Sequence, residues 1–124
     1  MKLFVTLGSL SGFLGVALGA FGAHGLKTRV APEMLTTWNT GVLYHLIHAL
    51  GLVLIGIICQ LLPEVPLVRT AGWFIVAGTV LFSGSLYVLV LSDIKAFGMI
   101  TPLGGISFLV GWALLAAATW KYAH

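Results

Sequence analysis

Two histidines, His45 and His48, lie three residues apart inside an apolar stretch that contains no Asp, Glu, Lys or Arg. An imidazole ring can hold a proton, a polar ligand or a metal ion, because histidine titrates near neutrality and is a common metal ligand. Three residues along a helix return nearly to the same face, so the two rings are expected to lie together. The groups that can reach this pair decide what chemistry the chain supports.

Polar side chains on a later apolar segment can be brought to the level of the histidines. If the two segments form an antiparallel hairpin, residues whose numbers sum to about 131 share one depth. Ser83 is then level with His48, and Tyr87 or its neighbour is level with His45. We predict a shallow polar pocket between the first three helices, opening on the side opposite the chain termini. The residues expected to form or rim it are His24, Asn39, Tyr44, His45, His48, Ser83 and Tyr87.

The alternative interpretation is that these polar groups only hold the helices together. Hydrogen bonds between membrane helices are worth about 0.6 kcal/mol each on average, and a neutral His48 bonded to Ser83 would need no ligand. An ionisable residue inside a membrane is still a candidate functional site, because exposing it to lipid costs several kcal/mol. Both interpretations stay open from the sequence.

Metal binding and catalysis have weaker support than ligand binding. Zinc normally takes three or four protein ligands, and the others would have to come from His24, Asp93 or Cys59. Cys59 lies about 16 Å along the helix from His48, which is too far to share one ion. Nucleophilic catalysis rests on Ser83 near His48 alone. We therefore predict no metal site, no cofactor and no catalytic residue, and an enzymatic activity is not expected.

Membrane-spanning helices must position these residues. The chain has 124 residues, of which 60% are hydrophobic and 7% are charged, whereas a soluble domain carries about 25% charged residues. A helix needs roughly 20 apolar residues to cross the hydrocarbon core. Four runs without Asp, Glu, Lys or Arg reach that length, at residues 3–26, 34–63, 70–92 and 96–120. The predicted fold class is all-α, a four-helix transmembrane bundle with both termini on the same side.

Turn and capping residues set the expected ends of the four helices. We place the helices at about residues 3–23, 32–62, 67–91 and 102–121, within one integral membrane domain that spans residues 1–124. The second helix would be roughly 46 Å long and would exceed the bilayer core. We expect its first turns to project as a lead-in with Trp38 at the membrane interface. A break near Gly41 is the alternative.

Small residues recur every four positions along one face of the first helix, at Ser11, Gly15, Gly19 and Ala23. Such a stripe lets another helix approach closely, so we expect the first helix to be the tightly packed one. The same segment resembles a signal peptide, but its apolar part is long and rich in glycine, and we expect it to be retained.

Four separated motifs resemble those of the transmembrane protein 256 family, a family of unknown function that includes the YgdD- and YwdK-like bacterial proteins. The motifs are Gly22–Leu26, Trp38–Gly41 with Tyr44, His45, His48 and Ala49, Phe82–Tyr87, and Ile100–Gly105 with Gly111 and Trp112. The resemblance covers nearly the whole chain. It implies a small four-pass membrane protein with a retained first segment, and it brings no established activity.

Two functions compete on this evidence. In one, the histidine pocket binds or translocates a proton, an ion or a small solute. In the other, the glycine-rich first helix docks onto a second copy or a larger membrane complex. The expected partners are the lipid bilayer and such an oligomer or complex. Nucleic acid is not expected, because the Lys and Arg residues are scattered as flanks of the helices.

The expected location is the bacterial inner (plasma) membrane, but the orientation in it is undecided. Lys and Arg are enriched on the cytoplasmic side of membrane proteins. Three of these residues flank the side of the bundle that holds both chain termini (Lys2, Arg69, Lys121). The other three flank the opposite side (Lys27, Arg29, Lys95). Insertion in both orientations is therefore a hypothesis.

Overall fold

Four long helices account for most of the chain, and the predicted all-α class is confirmed. The computed structural model describes residues 2–122. Each helical segment is long and apolar enough to cross a membrane. The helices are α1 (Lys2–Leu26), α2 (Pro32–Leu61), α3 (Pro66–Ser92) and α4 (Thr101–Tyr122). With four crossings, the chain enters and leaves the bundle on the same side.

The second helix, α2, is unbroken over 30 residues, about 45 Å at 1.5 Å per residue. It begins with Pro32 in its first turn, where the missing backbone N–H of proline costs nothing. It passes Gly41 without interruption, so the alternative of a break at this glycine is wrong.

Trp38 lies inside the bundle and not on its outer surface. Its level at the membrane interface stays a prediction. The side chain is 0% exposed, and its indole Nε1 donates a hydrogen bond to the carbonyl of Leu18 on α1 at 2.9 Å. Phe21 packs edge-to-face on the ring. Gly22 makes room for it, because a Cβ there would lie 2.6 Å from the indole.

The small residues of α1 pack against α2 of the same chain. A Cβ at Gly8 would meet the α2 backbone, and one at Gly15 would meet Leu46. The predicted close approach therefore occurs, but this face is occupied within the chain and is not available to dock a partner helix. In the most apolar 18-residue window of each helix, 17% of the α1 residues are buried, against 44% of the α2 residues. The expected tight packing of α1 therefore occurs against α2, although α1 packs on one face only.

The third and fourth helices form the second closely packed pair. At Thr79–Ser83 the backbone of α3 widens into a π-helical turn, which places one extra residue in the turn. Gly104 of α4 packs directly on the α3 backbone at Phe82. Between the two helices the chain passes through Asp93, whose left-handed φ of 57° suits an aspartate. A 3₁₀ turn, Lys95–Met99, then leads into α4.

Two buried clusters divide the core along the bundle. One contains Phe4, Leu52, Ile55, Val68, Ile75, Phe108 and Ala118. The other lies nearer the side opposite the termini and contains Leu26, Trp38, Val42 and Val90. His45 and His48 fall between the α2 residues of these clusters, so both rings lie in the middle part of the bundle.

Candidate binding site

His45 is the centre of a hydrogen-bonded chain that links three helices. Its side chain is 4% exposed. Its Nδ1 lies 2.9 Å from the hydroxyl of Tyr87 on α3, and its Nε2 lies 2.9 Å from the hydroxyl of Ser11 on α1. Tyr87 is therefore at the level at which the sequence placed it. A hydroxyl can donate or accept, so the direction of each bond depends on which ring nitrogen carries hydrogen.

A groove of about 430 Å³ lies over these three hydrogen-bonded residues, between α1 and α3, and α2 forms its floor. Its rim residues Leu10, Leu14 and Val80 are each more than half exposed. The groove therefore opens sideways, toward lipid. Its lining comprises Leu7, Leu10, Ser11, Leu14, Leu18, His45, Leu52, Val76, Thr79, Val80, Gly84 and Tyr87.

The predicted opening toward the side opposite the termini is wrong. Every residue that lines the groove belongs to a membrane-spanning helix. The cluster around Trp38 and Leu26 fills the bundle at that end. The groove therefore lies along the membrane-spanning part of the bundle and not at its end.

His48 faces a different helix, although it is only three residues from His45. Its Nδ1 lies 2.7 Å from the carbonyl oxygen of Tyr44, and its Nε2 accepts a hydrogen bond from the indole of Trp112 at 2.9 Å. The ring stacks on Phe108 with centroids 3.6 Å apart. A carbonyl can only accept and an indole N–H can only donate, so the hydrogen resides on Nδ1.

The hydrogen bond between His48 and Ser83 that the alternative interpretation assumed is not formed. Ser83 is 1% exposed, and its hydroxyl donates to the carbonyl of Gly41 at 2.7 Å. Gly41 has no side chain to cover its carbonyl. The wide turn that ends at Ser83 also shifts the face that α3 presents to α2.

The remaining predicted residues do not join the groove over His45. Tyr44 is 39% exposed and lines a second groove between α2 and α4, together with His48. His24 and Asn39 are exposed toward the side opposite the termini. Of the seven predicted residues, His45 and Tyr87 line the groove between α1 and α3. Within residues 2–122, no three His, Cys, Asp or Glu side chains are grouped closely enough to hold a metal ion.

Two partners of the histidines were not predicted as site residues. Ser11 belongs to the small-residue stripe predicted for helix packing, and a hydroxyl on the face that meets α2 is itself a signal for a polar contact. Trp112 belongs to the last of the four sequence motifs. Its indole N–H needs an acceptor when it lies inside a bundle, which was the signal for its contact with a buried ring.

The fold and these contacts define a polytopic α-helical membrane protein with a polar-floored groove facing lipid. The family described as "Protein of unknown function (DUF423)" matches residues 18–105. The chain is 48% identical over 122 residues to the UPF0382 membrane protein YwdK of Bacillus subtilis, covering 98% of this chain and 99% of that protein. It is 46% identical over 123 residues to a UPF0382 membrane protein of Staphylococcus aureus, covering 99% of each.

The chain belongs to this family of unknown function. The predicted resemblance to YwdK-like proteins is thereby confirmed. No solved structure matches the chain. It is an integral membrane protein, and its location is the bacterial inner membrane.

Proposed function

We propose that this protein binds a small, uncharged molecule, taken from the lipid phase, in the groove between α1 and α3. The observation that carries this proposal is the polar floor of the groove, formed by Ser11, His45 and Tyr87. The walls above it are mostly aliphatic, and the groove opens to lipid. Its volume of about 430 Å³ falls in the range of roughly 300–1,000 Å³ typical of small-molecule sites.

The walls of the groove favour an uncharged ligand over an ion. They consist mainly of Leu and Val side chains, and moving a charge from water into such surroundings is very costly. The hydrogen-bonded chain runs sideways, from α3 through α2 to α1. It therefore supports binding better than translocation of a proton or an ion across the membrane.

Filling the groove tests the proposal. Gly84 lines it, and a Cβ added there has no neighbour within 4 Å, so Gly84→Leu should fill the space without disturbing the helices. The protein is placed in nanodiscs of one synthetic phospholipid with the lipophilic probe 3-trifluoromethyl-3-phenyldiazirine. After photolysis, the labelled residues are identified by mass spectrometry. We expect saturable labelling of Leu14 and Val80 that Gly84→Leu abolishes.

Gly105→Leu is the matched control. It makes the same change on α4, in the second groove, where a Cβ would meet its nearest neighbour at an ordinary 4.0 Å. This variant should keep the saturable labelling. Labelling of Leu14 and Val80 that rises linearly with probe concentration, or that is equal in both variants, would overturn the proposal.

A further inference from the structure

The hydrogen-bonded residues Ser11, His45 and Tyr87 carry more polar hydrogens than the two hydrogen bonds between them use. Two hydroxyls and a neutral imidazole supply three hydrogens, and two hydrogen bonds join them. If Nδ1 carries the ring hydrogen, the hydroxyl hydrogen of Tyr87 is left over. If Nε2 carries it, the hydroxyl hydrogen of Ser11 is left over. If both ring nitrogens carry hydrogen, the hydroxyl hydrogens of Ser11 and Tyr87 are both left over. Within residues 2–122, neither hydroxyl has a second hydrogen-bond partner.

Because Ser11 and Tyr87 both line the groove, the spare hydrogen can be donated to a molecule bound there. Ser11 and His45 lie near the middle of their helices, where little water is present to accept the hydrogen. The ester oxygens of phospholipids lie at the edge of the hydrocarbon core, about 15 Å from its centre. A matching acceptor must come from a molecule that dissolves in the core itself.

We infer that the ligand is a neutral lipophilic carbonyl compound of the quinone class. Its ring carbonyl accepts the spare hydroxyl hydrogen of Tyr87 or Ser11, and its tail lies among the leucines of α1. A quinone ring carries acceptors and no donor, which complements a site with surplus hydrogen. An alcohol brings a hydrogen of its own, and a fatty acid brings a charge. This inference rests on the proposed function, since it names the ligand class of the same groove.

Infrared spectroscopy of decylubiquinone tests the hydrogen bond directly. With the wild-type protein in nanodiscs, we expect part of the carbonyl stretching band to move to lower wavenumber relative to empty nanodiscs. The triple variant Ser11→Ala/His45→Leu/Tyr87→Phe should abolish this shifted band. Removing all three partners together leaves no unsatisfied polar group, so the variant should fold. Its groove is checked by the diazirine labelling described above.

Competition gives a second measurement of the same contact. Decylubiquinone should displace the diazirine probe from the wild-type groove, and roughly three- to tenfold less effectively from the triple variant. Ser9→Ala/Tyr44→Phe is the matched control. It removes one serine hydroxyl and one tyrosine hydroxyl outside the groove, and should leave both readouts unchanged. Gly84→Leu in the otherwise wild-type chain should also abolish the shifted band.

Two outcomes separate the ligand class from the proposed function. Saturable labelling that decylubiquinone does not compete, with no shifted carbonyl band, would overturn the quinone inference and leave groove binding intact. Labelling that never saturates would overturn both. A shifted band that persists in the triple variant or in Gly84→Leu would also reject the inference, because the quinone would then be bound elsewhere.

Discussion

His45 and His48 show how neighbouring residues on one helix acquire separate roles. Residues three apart differ by about 60° around the helix axis. On α2 this rotation turns His45 toward α1 and α3, and His48 toward α4. Both ring nitrogens of His48 are bonded, one to a carbonyl that can only accept and one to an indole N–H that can only donate. His48 therefore acts as a hydrogen-bonding residue between helices. His45 is held by two hydroxyls, whose directions can reverse.

The tautomer of His48 is a prediction at the residue scale. We expect hydrogen on Nδ1, since Tyr44 supplies only an acceptor and Trp112 only a donor. The ¹⁵N NMR spectrum of histidine-labelled protein should show this tautomer for His48. Trp112→Phe should move the Nε2 resonance and lower the free energy of unfolding by about 0.5–2 kcal/mol.

Trp120→Phe is the control for this substitution. Its side chain is 91% exposed, so the change should alter the free energy of unfolding by less than about 0.5 kcal/mol and leave the His48 signals in place. A spectrum in which His48 carries its hydrogen on Nε2 would contradict the assignment.

At the scale of the elements, glycines determine how closely the helices of each pair approach. α1 meets α2 through Gly8 and Gly15, and α4 meets α3 through Gly104. In lipid, apolar helix faces gain little by leaving their solvent, so close backbone packing contributes much of the association. The hydroxyl of Ser107 on α4 adds a hydrogen bond to the carbonyl of Phe74 at 2.7 Å.

Gly104 and Gly105 give a matched test of this packing. A Cβ at Gly104 would collide with the α3 backbone at Phe82, whereas one at Gly105 would reach only a side-chain atom at 4.0 Å. A backbone cannot move aside as a flexible side chain can. We expect Gly104→Ala to lower the free energy of unfolding by about 1–3 kcal/mol.

The same measurement on Gly105→Ala should show no loss, because alanine has the higher helix propensity and the site has room. Unfolding of the purified protein in sodium dodecyl sulfate, followed by circular dichroism, compares the two variants. Equal destabilisation by both substitutions would show that the contact with Phe82 is not what limits the approach of α4.

At the scale of the whole molecule, equal numbers of Lys and Arg residues flank the two sides of the bundle. The six Lys and Arg residues divide three and three between the two sides, and all six are exposed. The positive-inside rule counts such flanking residues, so neither orientation is favoured. The bundle itself is unaffected by the direction in which it is inserted.

We expect insertion in both orientations, and reporter fusions test it. Alkaline phosphatase and green fluorescent protein are each fused after His124, which lies outside the described residues. Both fusions should be active in cells, because each reports one side of the membrane. Lys27→Ala/Arg29→Ala should shift the population toward cytoplasmic termini. Activity of a single reporter in the original chain would reject insertion in both orientations.

The sequence alone determined the four spans and their class. Long runs without charge must cross lipid as helices, because a spanning segment has to satisfy its own backbone hydrogen bonds. These constraints act along the chain and need no knowledge of neighbours. The matching depth of Tyr87 and His45 also followed from the sequence, because paired residues of an antiparallel helical hairpin have a constant sum of residue numbers.

Tertiary structure decided which polar groups meet. Ser83 bonds to the carbonyl of Gly41, and not to His48, because α3 contains a π-helical turn that the sequence does not predict. Trp38 is buried because Gly22 and Leu18 of another helix receive its indole. A 60° rotation or one extra residue in a turn changes the partner of a side chain while leaving every apolar span equally apolar. Composition and periodicity therefore determine the bundle, and packing determines the site.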